Sequence, residues 1–150
     1  MREVKIYTDG GCSGNPGPGA WAYILLSGQT RLQSAQAVPS TTNNRMELLA
    51  VISALRRLAA HPQWGAAPLE VYTDSAYVQK GITQWIRVWE ANGWRTSAKQ
   101  PVKNQDLWQE LRSLSRVREI AWHWLAGHAG HLYNEECDQL VQQAIAQLKA

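Results

Sequence analysis

Apolar and polar positions alternate with period two from the start of the chain. Val4, Ile6 and Thr8 fall on one face and Lys5, Tyr7 and Asp9 on the other, which predicts a strand running into the loop Gly10-Gly11-Cys12-Ser13-Gly14-Asn15-Pro16-Gly17-Pro18-Gly19. Ala20 to Leu26 and Arg31 to Val38 read as two further strands joined across Ser27-Gly28-Gln29, so the first three strands should form an antiparallel meander. After the polar stretch Pro39 to Asn44, Leu48, Val51, Ile52, Leu55 and Leu58 recur at helical spacing, and the helix should stop near His61-Pro62. Leu69 to Asp74 is again a strand. Strand, helix and strand form a crossover, so the strands carrying Asp9 and Asp74 should be parallel neighbours with a right-handed connection. Residues 75–114 look helical with interruptions: Ile82, Trp85, Ile86 and Trp89 share a stripe, Asn92-Gly93 breaks it, and a further helix surrounds Leu107, Trp108 and Leu111. Val117 to Trp124 reads as the last strand and Gly127 to His131 as a mobile loop. A final helix carries Cys137, Leu140, Val141, Ala144, Ile145 and Leu148 on one stripe, with Asn134 as its expected N-cap.

Composition adds little to this picture. The 150 residues fit one domain with a sizeable core, and the net charge of +3 is compatible with a polyanionic partner without requiring one. No apolar run reaches membrane-spanning length and no signal-peptide pattern precedes the first strand, so a cytoplasmic, non-membrane protein is the expectation. Cys12 and Cys137 stand alone, one in the glycine loop and one on a helix stripe, which is not a disulfide framework; both read as free thiols.

The acidic residues change the picture more. Tyr7-Thr8-Asp9 is echoed by Tyr72-Thr73-Asp74, so two strands finish in the same way. On parallel neighbours in register, about 4.8 Å apart, the two carboxylates would repel unless a proton or a cation relieved them, and a divalent metal is the simplest relief. Each acidic residue also has a local explanation. Asp9 before Gly10-Gly11 fits a turn, Asp74 could cap a helix, Asn44-x-x-Glu47 fits a capping box, and Asp138 suits the first turns of the last helix. Together, four carboxylates at element ends that can converge on one sheet edge make the oxygen-rich set that hard divalent cations prefer.

These residues lie in five motifs through which the chain resembles bacterial ribonuclease HI, the type 1 ribonuclease H family. They are Tyr7 to Gly17, Thr41 to Leu48, Tyr72 to Ser75, Lys103-Asn104-x-Asp106-Leu107-Trp108, and Gly127-His128-x-Gly130-His131 with Asn134-Glu135-x-Cys137-Asp138. The resemblance implies an α/β fold with a five-stranded mixed sheet in order 3-2-1-4-5 flanked by helices. It implies an endoribonuclease that cuts the RNA strand of RNA/DNA hybrids, leaving 5′-phosphate and 3′-hydroxyl ends. Asp9, Glu47, Asp74 and Asp138 match the family's metal-binding carboxylates, for two Mg²⁺ ions with Mn²⁺ as a substitute, and His128 matches its catalytic loop histidine.

The 2′-hydroxyl that distinguishes RNA is read best across the shallow minor groove by backbone and small polar groups. Gly11, Cys12, Asn15, Asn43 and Asn44 offer such groups and by resemblance contact the hybrid, while Thr42 and Asn104 match a pocket for a DNA-strand phosphate. The chain departs from many relatives in having Ser40 in place of Arg and Ala76 in place of Gln. Between residues 80 and 103, Lys80, Arg87, Arg95, Lys99 and Lys103 alternate with Trp85, Trp89 and Trp94; the family carries a basic protrusion here, and this segment is the expected substrate handle. Trp85 and Trp89, four apart on an apolar stripe, are expected to pack as well. Glu90-Ala91-Asn92 makes the handle less basic than in strongly basic relatives. A monomer is expected. Two rival readings, a hybrid-binding module without activity and a resolvase- or transposase-like nuclease, fit less well. The first has no use for four carboxylates, and the second does not explain Asn43-Asn44.

Overall fold

In the computed structural model, which describes residues 3–126 and 131–149, β1 (Val4–Cys12), β2 (Gly17–Ser27) and β3 (Thr30–Thr41) form an antiparallel meander. Helix α1 (Asn43–Ala59) crosses over to β4 (Leu69–Thr73), which lies parallel to β1, and β5 (Ile120–Trp124) adds parallel to β4. The sheet order is β3-β2-β1-β4-β5, as the resemblance implies, and β1 and β4 are the parallel neighbours that the crossover pattern predicts.

The sheet is covered on both faces. Val4, Ile6, Leu25 and Val71 meet Leu48, Ile52 and Leu55 of α1 and Leu107, Trp108 and Leu111 of α4 (Gln105–Arg116) in the main core. On the opposite face α5 (Leu132–Lys149) lays Val141 and Ile145 onto Ala20 and Ala22, with Ala35 and Ala37 at the margin; small strand residues let the helix approach. The expected stripe of α1 buries in full, whereas on α5 Cys137, Val141 and Ile145 bury, Leu140 and Ala144 do so in part, and Leu148, in the last turn, stays exposed.

The glycine stretch is more ordered than its composition suggests. β1 continues to Cys12, paired with Gly19, and β2 begins at Gly17, so the turn shrinks to four residues. Gly19 is needed for packing, since a Cβ there would lie 2.6 Å from Thr41 Cγ2 and 2.7 Å from the Gly11 carbonyl oxygen.

Three expectations are corrected at element ends. The last strand starts at Ile120, because α4 runs to Arg116 and Val117 closes it; the Arg118 guanidinium then donates to the Trp64 and Ala67 carbonyls at 2.7 and 3.0 Å. Asn134 does not cap α5: the helix starts at Leu132, its first turn closes from Glu135 N–H to the His131 carbonyl, and Asn134 is buried inside it. Asp9 does not end its strand; it pairs with Ala22 partway along β1, and only β4 stops beside it.

Residues 76–92 are one interrupted helical run: α2 (Ala76–Lys80), a π-helical turn (Gly81–Trp85) and α3 (Ile86–Asn92). The irregular turn sits where Trp108 presses on Gly81, at which a Cβ would fall 1.9 Å from the indole. Gly93 ends α3 at φ 77°, the left-handed conformation glycine adopts without strain. The break anticipated at Asn92-Gly93 is thus found.

Candidate active site

The register of β1 and β4 fixes the site. Tyr7 is opposite Tyr72, so continuing the register two steps past this last pair sets Thr8 beside Thr73 and then Asp9 beside Asp74. The echoed tyrosines stack at 4.7 Å with their planes 9° apart, and Tyr72 stacks in turn on His123 at 4.6 Å. The repeated tripeptide is therefore two rungs of one ladder, its tyrosines making a platform and its aspartates the edge above it. Because β4 stops while β1 continues, the sheet has a notch at Asp9 on the β4 side.

Glu47 comes from the second turn of α1. The helix is capped by Thr42, whose Oγ accepts the Arg45 N–H, so the capping box expected from Asn44 is not formed. The Glu47 carboxylate instead accepts the N–H of Gly10. Close approach is obligatory here: a Cβ on Gly10 would lie 2.3 Å from the Met46 carbonyl carbon. Asp74 is likewise no cap, since Ser75 Oγ accepts the Val78 N–H at the start of α2.

The result is a dense anionic corner. Among the described residues, Asp9, Glu47 and Asp74 each offer an oxygen lying within 4.8 Å of the others. Asp9 and Glu47 are each only 6% exposed. Asp138, half-buried on α5, reaches Asp9 through a hydrogen bond between the two side chains and stands outside that tight trio. Burial, then the charges of Glu47, Asp74 and Asp138, hold the Asp9 carboxyl far above the usual carboxylate range. Glu47 is also raised, by burial and then by Asp74, against hydrogen bonds from Gly10, Ser75 and Asp9. The Cys137 thiol beneath them is pushed up by burial and by Asp9, so it is a neutral wall of the site. Buried carboxylates gathered without a basic partner among the groups acting on Asp9 fit a divalent cation with oxygen ligands.

Asp9, Glu47 and Asp74 open into a cleft of about 310 Å³ bordered by Asn43, Asn44, Ser75, Ala76 and Tyr77. The start of α1 is tied to the turn after β1, the Asn43 N–H donating to Asn15 Oδ1 at 3.1 Å. Gly11 and Cys12 lie on the same β1 end, the thiol donating to the Gly17 and Thr41 carbonyls. Asn104, at φ 59°, sits farther along: its Oδ1 accepts from Arg45 and its amide donates to the Tyr77 hydroxyl, which also accepts from Trp108 Nε1 at 2.9 Å. His128 falls outside the described residues.

The handle segment is an aromatic stack with charged edges. Tyr77, Trp85, Trp89 and Trp94 form successive ring contacts of 5.7, 5.8 and 5.9 Å, and Trp89 also meets Trp108 edge-on, so Trp85 and Trp89 pack as expected. Arg87, Arg95 and Lys99 are exposed, although Arg95 also donates to the Lys99 carbonyl at 3.3 Å. Glu90 draws Arg112 and Arg116 of α4 to it and so clamps the segment to the body.

Sequence reasoning passed over Ser75, Tyr77, Arg45 and Asp106. Ser75, between a strand and a helical pattern, carried a readable cap signal; Arg45 and Asp106 stood inside quoted motifs, but their pairing spans two distant helices.

The model of the RNase H family matches residues 1–146. A ribonuclease H of Nitrobacter hamburgensis is 52% identical over 146 residues, covering 97% of this chain and 93% of the relative. One of Cupriavidus metallidurans is 49% identical over 148 residues, covering 99% of each. Among solved structures, LC9-RNase H1, a type 1 RNase H with the type 2 active-site motif, superposes with a TM-score of 0.86 at 30% identity, over 98% of this chain and 74% of that one. LC11-RNase H1, solved in complex with an RNA/DNA hybrid, shares the fold with a TM-score of 0.76 at 23% identity, over 98% and 99% of the two chains.

Proposed function

From the membership of this chain in the ribonuclease H family, we propose that it is an endoribonuclease hydrolysing the RNA strand of RNA/DNA hybrids and leaving 5′-phosphate and 3′-hydroxyl ends. The observation that carries the reading is the trio Asp9, Glu47 and Asp74, with oxygens within 4.8 Å of one another at the edge of an open cleft.

Asp9, Glu47, Asp74 and Asp138 would hold the cofactor, two Mg²⁺ ions with Mn²⁺ able to substitute. Bound there, these ions would supply an activated water and charge neutralisation at the scissile phosphate and the leaving 3′ oxygen. The chain does the rest. The Gly10 N–H fixes the Glu47 carboxylate against β1, within reach of Asp9 and Asp74. The amides and carbonyls of Gly11, Cys12, Asn15, Asn43 and Asn44 read the 2′-hydroxyls of the RNA strand. Thr42 and Asn104 take a phosphate of the DNA strand, and His128 moves a proton during turnover or product release. The segment of residues 80–103 acts as a handle, with Arg87, Arg95 and Lys99 on phosphates and Trp85 and Trp89 as its packed base.

Among the described residues no helix is long and apolar enough to cross a membrane. A cytoplasmic monomer is the working state we assign. Incubation with end-labelled RNA/DNA hybrid, double-stranded RNA, double-stranded DNA and single strands, each with Mg²⁺ or EDTA, tests the function. Only the hybrid with Mg²⁺ should be cut, and only in its RNA strand; cleavage of duplex DNA, or of none of the substrates, would overturn it.

A further inference from the structure

The hydrogen bonds around Arg45 describe an anion seat whose occupant is a side chain of the protein itself. Arg45 presents its Nη1 to Asp106 Oδ1 at 3.1 Å and its Nη2 to Asp106 Oδ2 at 2.9 Å, the two-pronged grip a guanidinium makes on a carboxylate or a phosphate. Nη1 also donates to Asn104 Oδ1 at 3.1 Å, which turns the Asn104 amide toward Tyr77. Thr42 Oγ accepts the Arg45 N–H at 3.3 Å, which leaves its own hydroxyl proton to donate elsewhere. Tyr77, which receives both Asn104 and the indole of Trp108, also borders the carboxylate cleft. The seat is thus built from α1, α2 and α4 and fastened to the core. Its occupant is the more exposed partner, the Asp106 side chain being 65% exposed against 34% for Arg45. Besides Arg45, the Asp106 carboxylate accepts only the backbone N–H groups of Asp106 and Leu107 at the start of α4 among the groups acting on it. Ser40 is exposed on β3 and offers no cation.

We propose that Asp106 is a resident stand-in for a nucleic-acid phosphate, and that a phosphodiester of the DNA strand displaces it from Arg45 when the hybrid binds. The inference rests on the hybrid-binding function argued above. Arg45 supplies the bidentate cation, and Thr42 and Asn104 supply neutral donors beside it. Arg45 holds the Asp106 carboxyl below its usual range, so the stand-in is ionised at every pH at which nucleic acid is bound. An exposed ion pair is weak and salt-screened, and the exchange of one anion for another leaves the guanidinium paired throughout. Its consequence is thermodynamic. The phosphate releases a counterion, but the freed Asp106 recruits one, so Arg45 contributes little to the salt dependence of binding while Asp106 is present.

The test is the affinity of the full chain for a fluorescent RNA/DNA hybrid in EDTA, from fluorescence anisotropy at several salt concentrations, for Asp106→Asn, Arg45→Gln and the double variant. Asp106→Asn should tighten binding about two- to fivefold and steepen log Kd against log salt by about one unit. Arg45→Gln should weaken binding, and Asp106→Asn should have no effect in that background. Weaker binding by Asp106→Asn would show that Asp106 orients Arg45 rather than competes for it, and would overturn the exchange. Equal tightening with and without Arg45 would reduce the effect to a lost negative charge, and would overturn it too. If the unsubstituted chain neither binds nor cuts the hybrid, the function itself falls, a result distinct from binding that ignores Asp106.

Discussion

The carboxylate corner and the tryptophan-rich arm meet at Tyr77, which borders the carboxylate cleft and packs edge-on against Trp85, but they are held by different forces. At the corner, β1 and β4 are paired in register, Glu47 is pinned by the Gly10 N–H, and like charges are pressed together out of water. The arm is the reverse: its rings rest on one another and on Trp108, while Arg87, Arg95 and Lys99 point into solvent. The corner is costly to build and stores repulsion, which is what a cation-binding site needs. The arm is held by apolar contact, which tolerates exposed charge along its rim. Changes at the corner should therefore act on turnover, and changes in the arm on stability or substrate affinity.

The largest effect should come from Glu47→Gln, which keeps the shape and the Gly10 hydrogen bond but removes a charge. We expect kcat to fall by ~10³-fold or more, as several kcal/mol of charge stabilisation are lost, with the fold retained by circular dichroism. Next, Trp108→Ala should cost about 3–5 kcal/mol of stability, because this ring is fully buried and supports both Gly81 and Trp89. Denaturant unfolding measures it, and a loss under 1 kcal/mol would mean that the arm does not rest on this residue. His128→Ala should lower kcat by ~10²-fold, the usual size of a lost proton transfer, with KM nearly unchanged; a change confined to KM would make His128 a substrate contact. The smallest effect should belong to Arg87, Arg95 and Lys99 replaced together by Ala. KM for the hybrid should rise a few-fold and log KM should depend less on log salt, with kcat intact, and an unchanged salt slope would make the arm purely structural.

What could be read from the sequence follows the same division. Asp9 and Asp74 were legible because strand period and a repeated tripeptide set both residue and register. Glu47 was ambiguous, since a capping box explains the same spacing, and only the docking of α1 on Gly10 decides between them. The ends of elements were misread where a residue type has two uses. Val117 is β-branched yet closes a helix, Asn134 is a good cap yet lies inside one, and the glycines after Asp9 serve strand packing as much as the turn. The links from Arg45 to Asp106 and from Glu90 to Arg112 and Arg116 depend on how helices far apart in the chain meet, and no local pattern announces them.

The central claim is that the corner is strained by its own charge and that this charge does the chemistry. Asp9→Asn tests both halves through thermal unfolding in EDTA across pH, alongside cleavage of the hybrid in Mg²⁺. In the metal-free fold Asp9 and Glu47 bind protons more tightly than in the unfolded chain. Stability should therefore fall as pH rises above the ordinary carboxylate range, and Mg²⁺ should restore it. The asparagine variant should lose cleavage, unfold at a higher temperature than the parent in EDTA at neutral and alkaline pH, and show a flatter pH dependence. A variant that still cuts the hybrid, or one that is less stable with the pH dependence unchanged, would contradict the account.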